Sequence, residues 1–157
     1  MAQTGMPCKR LLLQSPLRYT YTEGDIYMKK SIWRLTVRSE FAAAHALRHY
    51  KGKCEALHGH NFSVDAVVEG ETLTQDTELL ADFSDLKRDL ATVLDTLDHK
   101  DLNAISPFDR INPSSENLAR HIYHVLEPAM IARGVSLYSV TVSERGPQSA
   151  TYMETQV

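Results

Sequence analysis

The chain has 157 residues, of which 43% are hydrophobic and 24% are charged, an ordinary balance for one soluble globular domain. Its formal net charge of −3 and its pI near 6.1 give no sign of a nucleic-acid-binding surface, and no apolar run approaches the roughly 18 residues that span a bilayer. Only two cysteines occur, Cys8 and Cys54, so no disulfide framework is predicted and a reducing cytoplasm is the expected location.

Residues 1–28 lack the hydrophobic period of the rest of the chain, and Met28 offers a second start. We expect this stretch to be an N-terminal extension that is partly disordered. A single domain is then predicted over residues 29–157.

Alternating apolar residues predict two neighbouring strands, over residues 32–44 and 60–70, joined by a polar loop over residues 48–57. One face of the second strand carries four apolar side chains, Phe62, Val64, Ala66 and Val68. Leucine and valine residues at helical spacing predict a helix over residues 85–97, with Ser84 as its N-cap.

A second helix is predicted to open at residues 112–116, where Pro113 sets the entry and Ser114 or Ser115 caps it. It should run to about residue 132, with a kink at Pro128, and stop at Gly134. Two closing strands are predicted over residues 137–143 and 150–156, around a turn at 145–147. The order ββααββ predicts an α+β domain with two helices on one face of an antiparallel sheet. Exposed edges of such a sheet favour oligomerisation.

The segment richest in chemistry runs from Cys54 to His60. His58 and His60 are separated by one residue, so their side chains share a face if the segment is a strand. His45 from the neighbouring strand would complete an open three-nitrogen site for zinc. The alternative is a hydrogen-bonded surface cluster without a metal.

Cys54 also has two interpretations. A free cysteine is most often inert and buried, but a loop position beside Lys53 and a nearby metal would favour a reactive thiolate.

Two acidic positions are further candidates. Asp98-His99 is a common surface dipeptide, but a carboxylate-oriented imidazole at the end of the first helix could act as an acid or base. Glu144 could be a solvated charge, or it could accept a bidentate hydrogen bond from the N–C–N edge of a guanine or pterin ring. Asp82, Asp85 and Asp89 are predicted to form the solvated start and face of the first helix. The histidines His49, His121 and His124 are predicted to be structural or surface residues.

From about Ile32 to Tyr152 the chain resembles the 6-pyruvoyltetrahydropterin synthase family, the tunnelling-fold (T-fold) pterin enzymes. The matching segments occur in the family's order: residues 41–45, Cys54-x3-His58-Gly59-His60, residues 97–103, residues 112–117 and Glu144. The resemblance implies a T-fold domain that assembles into an oligomeric barrel, a homohexamer of two stacked trimers with the site at a subunit boundary. The short gap between Cys54 and His58 resembles the bacterial branch, the 6-carboxy-5,6,7,8-tetrahydropterin synthases of queuosine biosynthesis.

The resemblance also implies a role for each matching residue. Zinc would be held by His45, His58 and His60; Cys54 would be the general base; Asp98 and His99 would form the partner acid–base pair; Glu144 would anchor the pterin, assisted by Glu116. Three positions depart from the family pattern: Ala46 stands where many relatives have Arg, Ser114-Ser115 replace the usual Thr, and residues 152–154 lack a Tyr-x-Gly close.

The implied reaction converts 7,8-dihydroneopterin triphosphate to 6-carboxytetrahydropterin, with loss of acetaldehyde and triphosphate. The expected partners are a small-molecule pterin and further copies of this chain, with no nucleic acid or membrane. Two alternatives stay open. One is the pyruvoyl-forming synthase, which eliminates triphosphate but keeps the side chain. The other is a zinc-binding family member without catalytic activity.

Overall fold

The computed structural model describes residues 17–22 and 25–155, with side chains from residue 30 onward. Its first elements are β1 (Leu17–Thr22) and β2 (Asp25–Lys30), which pair as an antiparallel hairpin separate from the main sheet. The predicted partial disorder of residues 1–28 falls largely on residues 1–16 and 23–24, which lie outside the described residues.

The main sheet has five strands. They are β3 (Trp33–His45), β4 (His58–Gly70), β5 (Lys100–Asp101), β6 (Ser136–Arg145) and β7 (Gln148–Tyr152). Their spatial order is β5-β3-β4-β6-β7, and only the short β5 runs parallel to its neighbour. The predicted α+β class is confirmed, and so is the ββααββ order from β3 onward. Two features were not predicted: the β1–β2 hairpin and the short β5 between the helices.

The last strand differs from its prediction at both ends. β7 begins at Gln148, because the turn is confined to Gly146 and Pro147, and it ends at Tyr152 where 156 was predicted. The tight turn lets β6 and β7 pair from Arg145 and Gln148 onward.

The first helix, α1 (Phe83–Leu94), starts and ends earlier than predicted. Its N-cap is Asp82 and not Ser84, because the Asp82 carboxylate accepts the backbone N–H of Ser84. Leu97 is 1% exposed, but it lies in hydrogen-bonded turns that follow the helix and not in the helix itself. In one of these turns the Leu97 N–H donates to the Leu94 carbonyl at 2.8 Å. Asp98 and His99 therefore lie beyond the helix and not at its end.

The second helix, α2 (Ser115–Ala132), has the predicted bounds, and the kink at Pro128 stays a prediction. Ser114 is the N-cap, and its hydroxyl accepts the N–H of Asn117 at 3.4 Å. Pro128 lies inside the helix, and Gly134, at φ +76°, takes the left-handed conformation that commonly follows a helix end. Among the described helices, none is both long and apolar enough to cross a membrane.

The core lies between the two helices and one face of the sheet, here called the helix face. Phe62 and Val64 of β4 and Leu118 and Ile122 of α2 are all 0% exposed. The opposite, outer face carries charged pairs such as Arg38 with Asp65. Strand alternation thus divides β3 and β4 into an apolar side and a polar side.

The acidic start of α1 is less solvated than predicted. The Arg133 guanidinium, at the C-cap of α2, contacts Asp85 Oδ2 at 2.8 Å and Asp89 Oδ1 at 2.9 Å. The Asp89 side chain is only 18% exposed. Asp82 is exposed, as predicted. The interpretation was wrong for Asp85 and Asp89, because the cation that pairs with them comes from a distant helix end.

Candidate functional site

Three histidines converge at one end of the β3–β4 ladder. His45 pairs directly with His58, and Ala43 pairs with His60, so all three imidazoles project from the helix face. The ring centroids are 4.7 Å apart for His45–His58, 4.8 Å for His58–His60 and 5.2 Å for His45–His60. One ligand nitrogen from each ring lies within 4.8 Å of the others. The structure therefore brings together the three residues that the sequence singled out, and they could hold a metal.

Backbone carbonyls fix the orientation of two of these rings. His45 Nδ1 lies 2.7 Å from the Pro113 carbonyl oxygen, and His58 Nδ1 lies 2.8 Å from the Ala56 carbonyl oxygen. A carbonyl only accepts, so each Nδ1 carries the hydrogen and each Nε2 keeps its lone pair. Metal-binding histidines are held in this way by their other nitrogen.

The inward nitrogens are the unsatisfied atoms of the site. Within the described part of the chain, His45 Nε2 and His60 Nε2 are buried and have no hydrogen-bond partner. Buried polar groups are rarely left without a partner, because the lost hydration is not recovered. Two converging lone pairs beside a third imidazole fit a cation, so the residues present fit a metal of the kind that nitrogen ligands bind.

Aromatic packing supports the cluster from the core side. Phe62 meets His45 and His60 edge-on, with centroids 5.3 Å and 5.5 Å away, and stacks on Phe41 at 4.9 Å. Burial lowers the pKa of His60. The neutral imidazole, which is the metal-binding form, is therefore favoured there.

Glu144 lies beside the histidines at the end of β6. Its two carboxylate oxygens are 3.9 Å from His45 Nε2 and 3.9 Å from His60 Nε2, and its side chain is 23% exposed. Ser115 Oγ donates to Glu144 Oε1 at 3.1 Å. Glu144 is thus a held carboxylate facing the cluster and not a freely solvated charge. Glu116 is exposed on the first turn of α2, and none of the described contacts joins it to the histidines.

Cys54 lies in the loop between β3 and β4, in a short 3-10 turn over Lys53–Glu55. Its side chain is only partly buried, so it is not the fully buried, inert cysteine of the alternative interpretation. Its carbonyl accepts the N–H of Leu47 at 2.8 Å, which ties the two sides of the loop together. No described contact joins its thiol to the histidines.

Asp98 and His99 form a hydrogen-bonded pair at the edge of β3. Asp98 Oδ1 accepts the N–H of Ala42 at 2.8 Å, and Asp98 Oδ2 lies 2.7 Å from His99 Nδ1. The Ala42 hydrogen bond, followed by that from His99, lowers the pKa of the Asp98 carboxyl. His99 takes a backbone φ of +54° and its side chain is 81% exposed. The carboxylate therefore orients an imidazole whose Nε2 is open to solvent.

His99 lines an open groove of about 650 Å³, and His60 of the histidine cluster lines the same groove. Ala42, Ala44, Asn61 and Lys100 are among the other residues that line it. Strand alternation puts the side chains of Ala42 and Ala44 on the face opposite His45. Within one chain, none of the described hydrogen bonds or ring contacts joins the Asp98–His99 pair to the three histidines.

The sequence did not point to the backbone and hydroxyl groups that hold the site. The Pro113 and Ala56 carbonyls have no residue-type signal, because any residue supplies a carbonyl. Ser115 was considered only as a possible helix cap and as a departure from the family pattern, yet its hydroxyl holds Glu144. The histidines left unassigned include His121, which packs edge-on against Phe108 at 5.2 Å in a structural role, as predicted.

The fold and the site define a small α+β domain with a three-histidine candidate metal centre. The model of the family described as 6-pyruvoyl tetrahydropterin synthase matches residues 34–155, and the chain belongs to this family. A Synechocystis sp. 6-carboxy-5,6,7,8-tetrahydropterin synthase is 36% identical over 125 residues, 77% of this chain and 93% of that protein.

Two further relatives show the breadth of the family. A Pyrococcus furiosus dihydroneopterin monophosphate aldolase is 41% identical over 86 residues, 55% of this chain and 68% of that protein. The structure of Caenorhabditis elegans 6-pyruvoyl tetrahydropterin synthase superposes with a TM-score of 0.71 and 29% identity, covering 80% of this chain and 97% of that one. Relatives with three different reaction names support a pterin-processing enzyme.

Proposed function

We propose that the chain is a zinc-dependent 6-carboxytetrahydropterin synthase. It would convert 7,8-dihydroneopterin triphosphate and one water molecule to 6-carboxy-5,6,7,8-tetrahydropterin, acetaldehyde and triphosphate, as a step of queuosine biosynthesis. The observation that carries the proposal is the cluster of three imidazoles, in which His45 Nε2 and His60 Nε2 are buried with no hydrogen-bond partner among the described residues. The Synechocystis relative, at 36% identity over most of both chains, supports this reaction among those named in the family.

His45, His58 and His60 would hold the zinc ion, leaving one coordination position free. Bound there, zinc would act as a Lewis acid toward the oxygens of the substrate side chain. We expect the purified protein to contain about one zinc per chain, as measured by elemental analysis. His58→Ala and His60→Ala should lose the metal and the activity while circular dichroism shows an intact fold. Full zinc content in both variants would rule out this ligand set.

The proton transfers are assigned to Cys54 and to the Asp98–His99 pair. Cys54, as thiolate, would remove a proton from the substrate side chain, and His99 oriented by Asp98 would move a proton on the other face. The carbon chain would lose electrons to the pterin ring, which goes from the dihydro to the tetrahydro state, so no nicotinamide is required.

Glu144 would recognise the pterin. A carboxylate accepts two parallel hydrogen bonds from an N–C–N edge, and Ser115 holds this carboxylate from the first turn of α2. Glu116 would assist from the adjacent position. Glu144→Gln should therefore raise KM for the pterin while the zinc content stays close to that of the wild type. This result separates recognition of the pterin ring from metal binding.

We further propose that each active site is completed by a second copy of the chain, within a hexamer of two trimers. Within one chain, none of the described contacts joins the Cys54 thiol or the Asp98–His99 pair to the histidines. The sheet also has open edges, because β5 pairs only with Ala43 and Ala44 of the long β3 and because β7 is the last strand on the other side. Open edges of this kind pair readily with other chains.

Mixed oligomers test this arrangement. Cys54→Ala and His99→Ala should each be inactive alone, but unfolding and refolding them together should restore part of the activity. Intact sites form only if the thiol and the imidazole come from different chains. Absence of any restored activity, or an active monomer in sedimentation at micromolar concentration, would contradict the shared site.

A turnover assay separates the alternatives. Equal release of acetaldehyde and triphosphate from dihydroneopterin triphosphate supports the proposed reaction. Triphosphate without acetaldehyde indicates the pyruvoyl-forming reaction, which retains the side chain. Zinc binding with no turnover indicates a family member without catalytic activity.

A further inference from the structure

The segment that leaves β3, residues 46–48, is held by two asparagine side chains from distant positions. Asn112 Oδ1 accepts the backbone N–H of Arg48 at 2.8 Å, and Asn112 Nδ2 donates to the Arg48 carbonyl at 2.9 Å. Asn103 makes the same reciprocal pair with Ala46, at 2.7 Å and 2.9 Å. Each amide thus satisfies one backbone N–H and one C=O, as a neighbouring strand would.

Asn112 differs from Asn103 in the residue that follows it. That residue is Pro113, whose carbonyl accepts from His45 Nδ1 at 2.7 Å. The stretch from His45 to Arg48 and the dipeptide Asn112-Pro113 therefore form a closed ring. The Asn112 amide joins it at one end, and the His45–Pro113 hydrogen bond joins it at the other. A displacement of Asn112 would displace the carbonyl that orients the His45 imidazole.

Two further hydrogen bonds fix the same corner. Asn117 Nδ2 donates to the Asn112 carbonyl at 2.9 Å, and Arg48 Nη1 donates to the Phe108 carbonyl at 2.9 Å. Pro113 is buried and has no N–H with which to anchor itself. The position of its carbonyl therefore depends on its neighbours.

We propose that Asn112 is a positioning residue for the metal centre, which acts by setting the Pro113 carbonyl that holds His45 in its metal-binding tautomer and orientation. Asn112 acts through His45 and does not itself touch metal or substrate. The inference rests on the proposed role of the three histidines as a metal site. Partners that orient metal-bound histidines typically contribute about 10- to 100-fold in metal affinity, so removal of this amide should weaken zinc binding within that range.

The test compares Asn112→Ala with Asn103→Ala in the full chain. Each variant loses one reciprocal amide pair on the same segment, so both should lower the thermal midpoint of the metal-free protein to a similar extent. Only Asn112→Ala should lower the zinc affinity, measured by competition with a chromophoric chelator. It alone should alter the visible spectrum of the cobalt(II)-substituted protein, which reports ligand geometry.

Three results would overturn this assignment or its basis. An equal loss of zinc affinity in both variants would mean that general rigidity of residues 46–48 matters and not the Pro113 carbonyl. Unchanged zinc affinity and an unchanged cobalt(II) spectrum in Asn112→Ala would show that the hydrogen bonds of Asn112 do not affect the position of His45. If the wild-type chain binds no zinc, the proposed metal centre itself is wrong. Should Asn112→Ala fail to fold, the isosteric pair Asn112→Asp and Asn103→Asp makes the same comparison, because each carboxylate keeps the acceptor and loses the donor.

Discussion

The substitution Asp98→Asn tests the proposed acid–base pair while keeping its attachment to β3. In the wild type, Asp98 Oδ1 accepts from the Ala42 N–H at 2.8 Å, and Asp98 Oδ2 faces His99 Nδ1 at 2.7 Å. An asparagine keeps an oxygen for Ala42 but turns an NH2 group toward His99. The imidazole must then accept at Nδ1 and carry its proton on Nε2, so the nitrogen that faces solvent can no longer take up a proton.

The exposure of His99 sets the size of the expected effect. Loss of a general acid or base typically costs about 10²–10⁴ in rate. In the single chain His99 is 81% exposed, so wherever the second copy leaves room, its ring can rotate away from the asparagine and recover part of its function. We therefore expect kcat to fall by about 10²–10³, the lower half of that range. The thermal midpoint should change little, because Ala42 keeps its hydrogen-bond acceptor.

The assay measures turnover of dihydroneopterin triphosphate by Asp98→Asn, His99→Gln and the matched control Asp95→Asn. Asp95 is exposed at the C-cap of α1, so its substitution removes the same charge three positions earlier in the chain. Asp98→Asn and His99→Gln should lose activity to a similar degree, and Asp95→Asn should match the wild type. Equal rates for Asp98→Asn and Asp95→Asn would show that the pair transfers no proton.

Three further predictions concern the thiol, the packing of the helices and the aromatic support. Cys54→Ala should keep its zinc, as measured by elemental analysis, but lose about 10²–10⁴ in turnover; near wild-type turnover would make Cys54 structural. The Arg133 hydrogen bond lowers the pKa of the Asp89 carboxyl in the folded state. The Arg133–Asp89 pair therefore stabilises the fold fully above about pH 4, the ordinary pKa of a carboxyl, and this stabilisation is lost as the pH falls through the lowered pKa of Asp89. Asp89→Asn should therefore reduce the unfolding free energy by about 1–2 kcal/mol at neutral pH and flatten its acid dependence in urea titrations; an unchanged acid limb would contradict this. Phe62→Ala should lower the unfolding free energy by about 3–5 kcal/mol, because Phe62 is 0% exposed. It should also weaken zinc binding, because Phe62 packs against His45 and His60. A fully stable variant would show that the histidine cluster does not need this aromatic support.

The strands and the three-histidine cluster could be predicted because their signals are local. Alternation in β3 and β4 fixes which side chains share a face, and a His-x-His pair on a strand must project both rings to one side. The third histidine joins them only if the two strands pair in the right register, and in the structure His45 lies opposite His58. The fold class followed from the same patterns.

The contacts that hold the site could not be predicted, because they join residues far apart in the chain. Nothing in the sequence pairs Asn112 with Arg48 or directs the Pro113 carbonyl to His45. The predicted ends of the first helix were wrong for a related reason. Asp82 and Ser84 are both good N-caps, and Leu97 continues the apolar spacing although the backbone has already left the helix. The placement of Asp98 at the Ala42 N–H depends on that turn.

The most direct test of the proposed function is the mass of the pterin that the zinc-loaded chain forms from 7,8-dihydroneopterin triphosphate. We predict a tetrahydropterin that keeps one side-chain carbon, as a carboxylate, with acetaldehyde accounting for the other two. A tetrahydropterin that retains all three side-chain carbons would contradict the proposed reaction and assign the chain to the pyruvoyl-forming branch of the family.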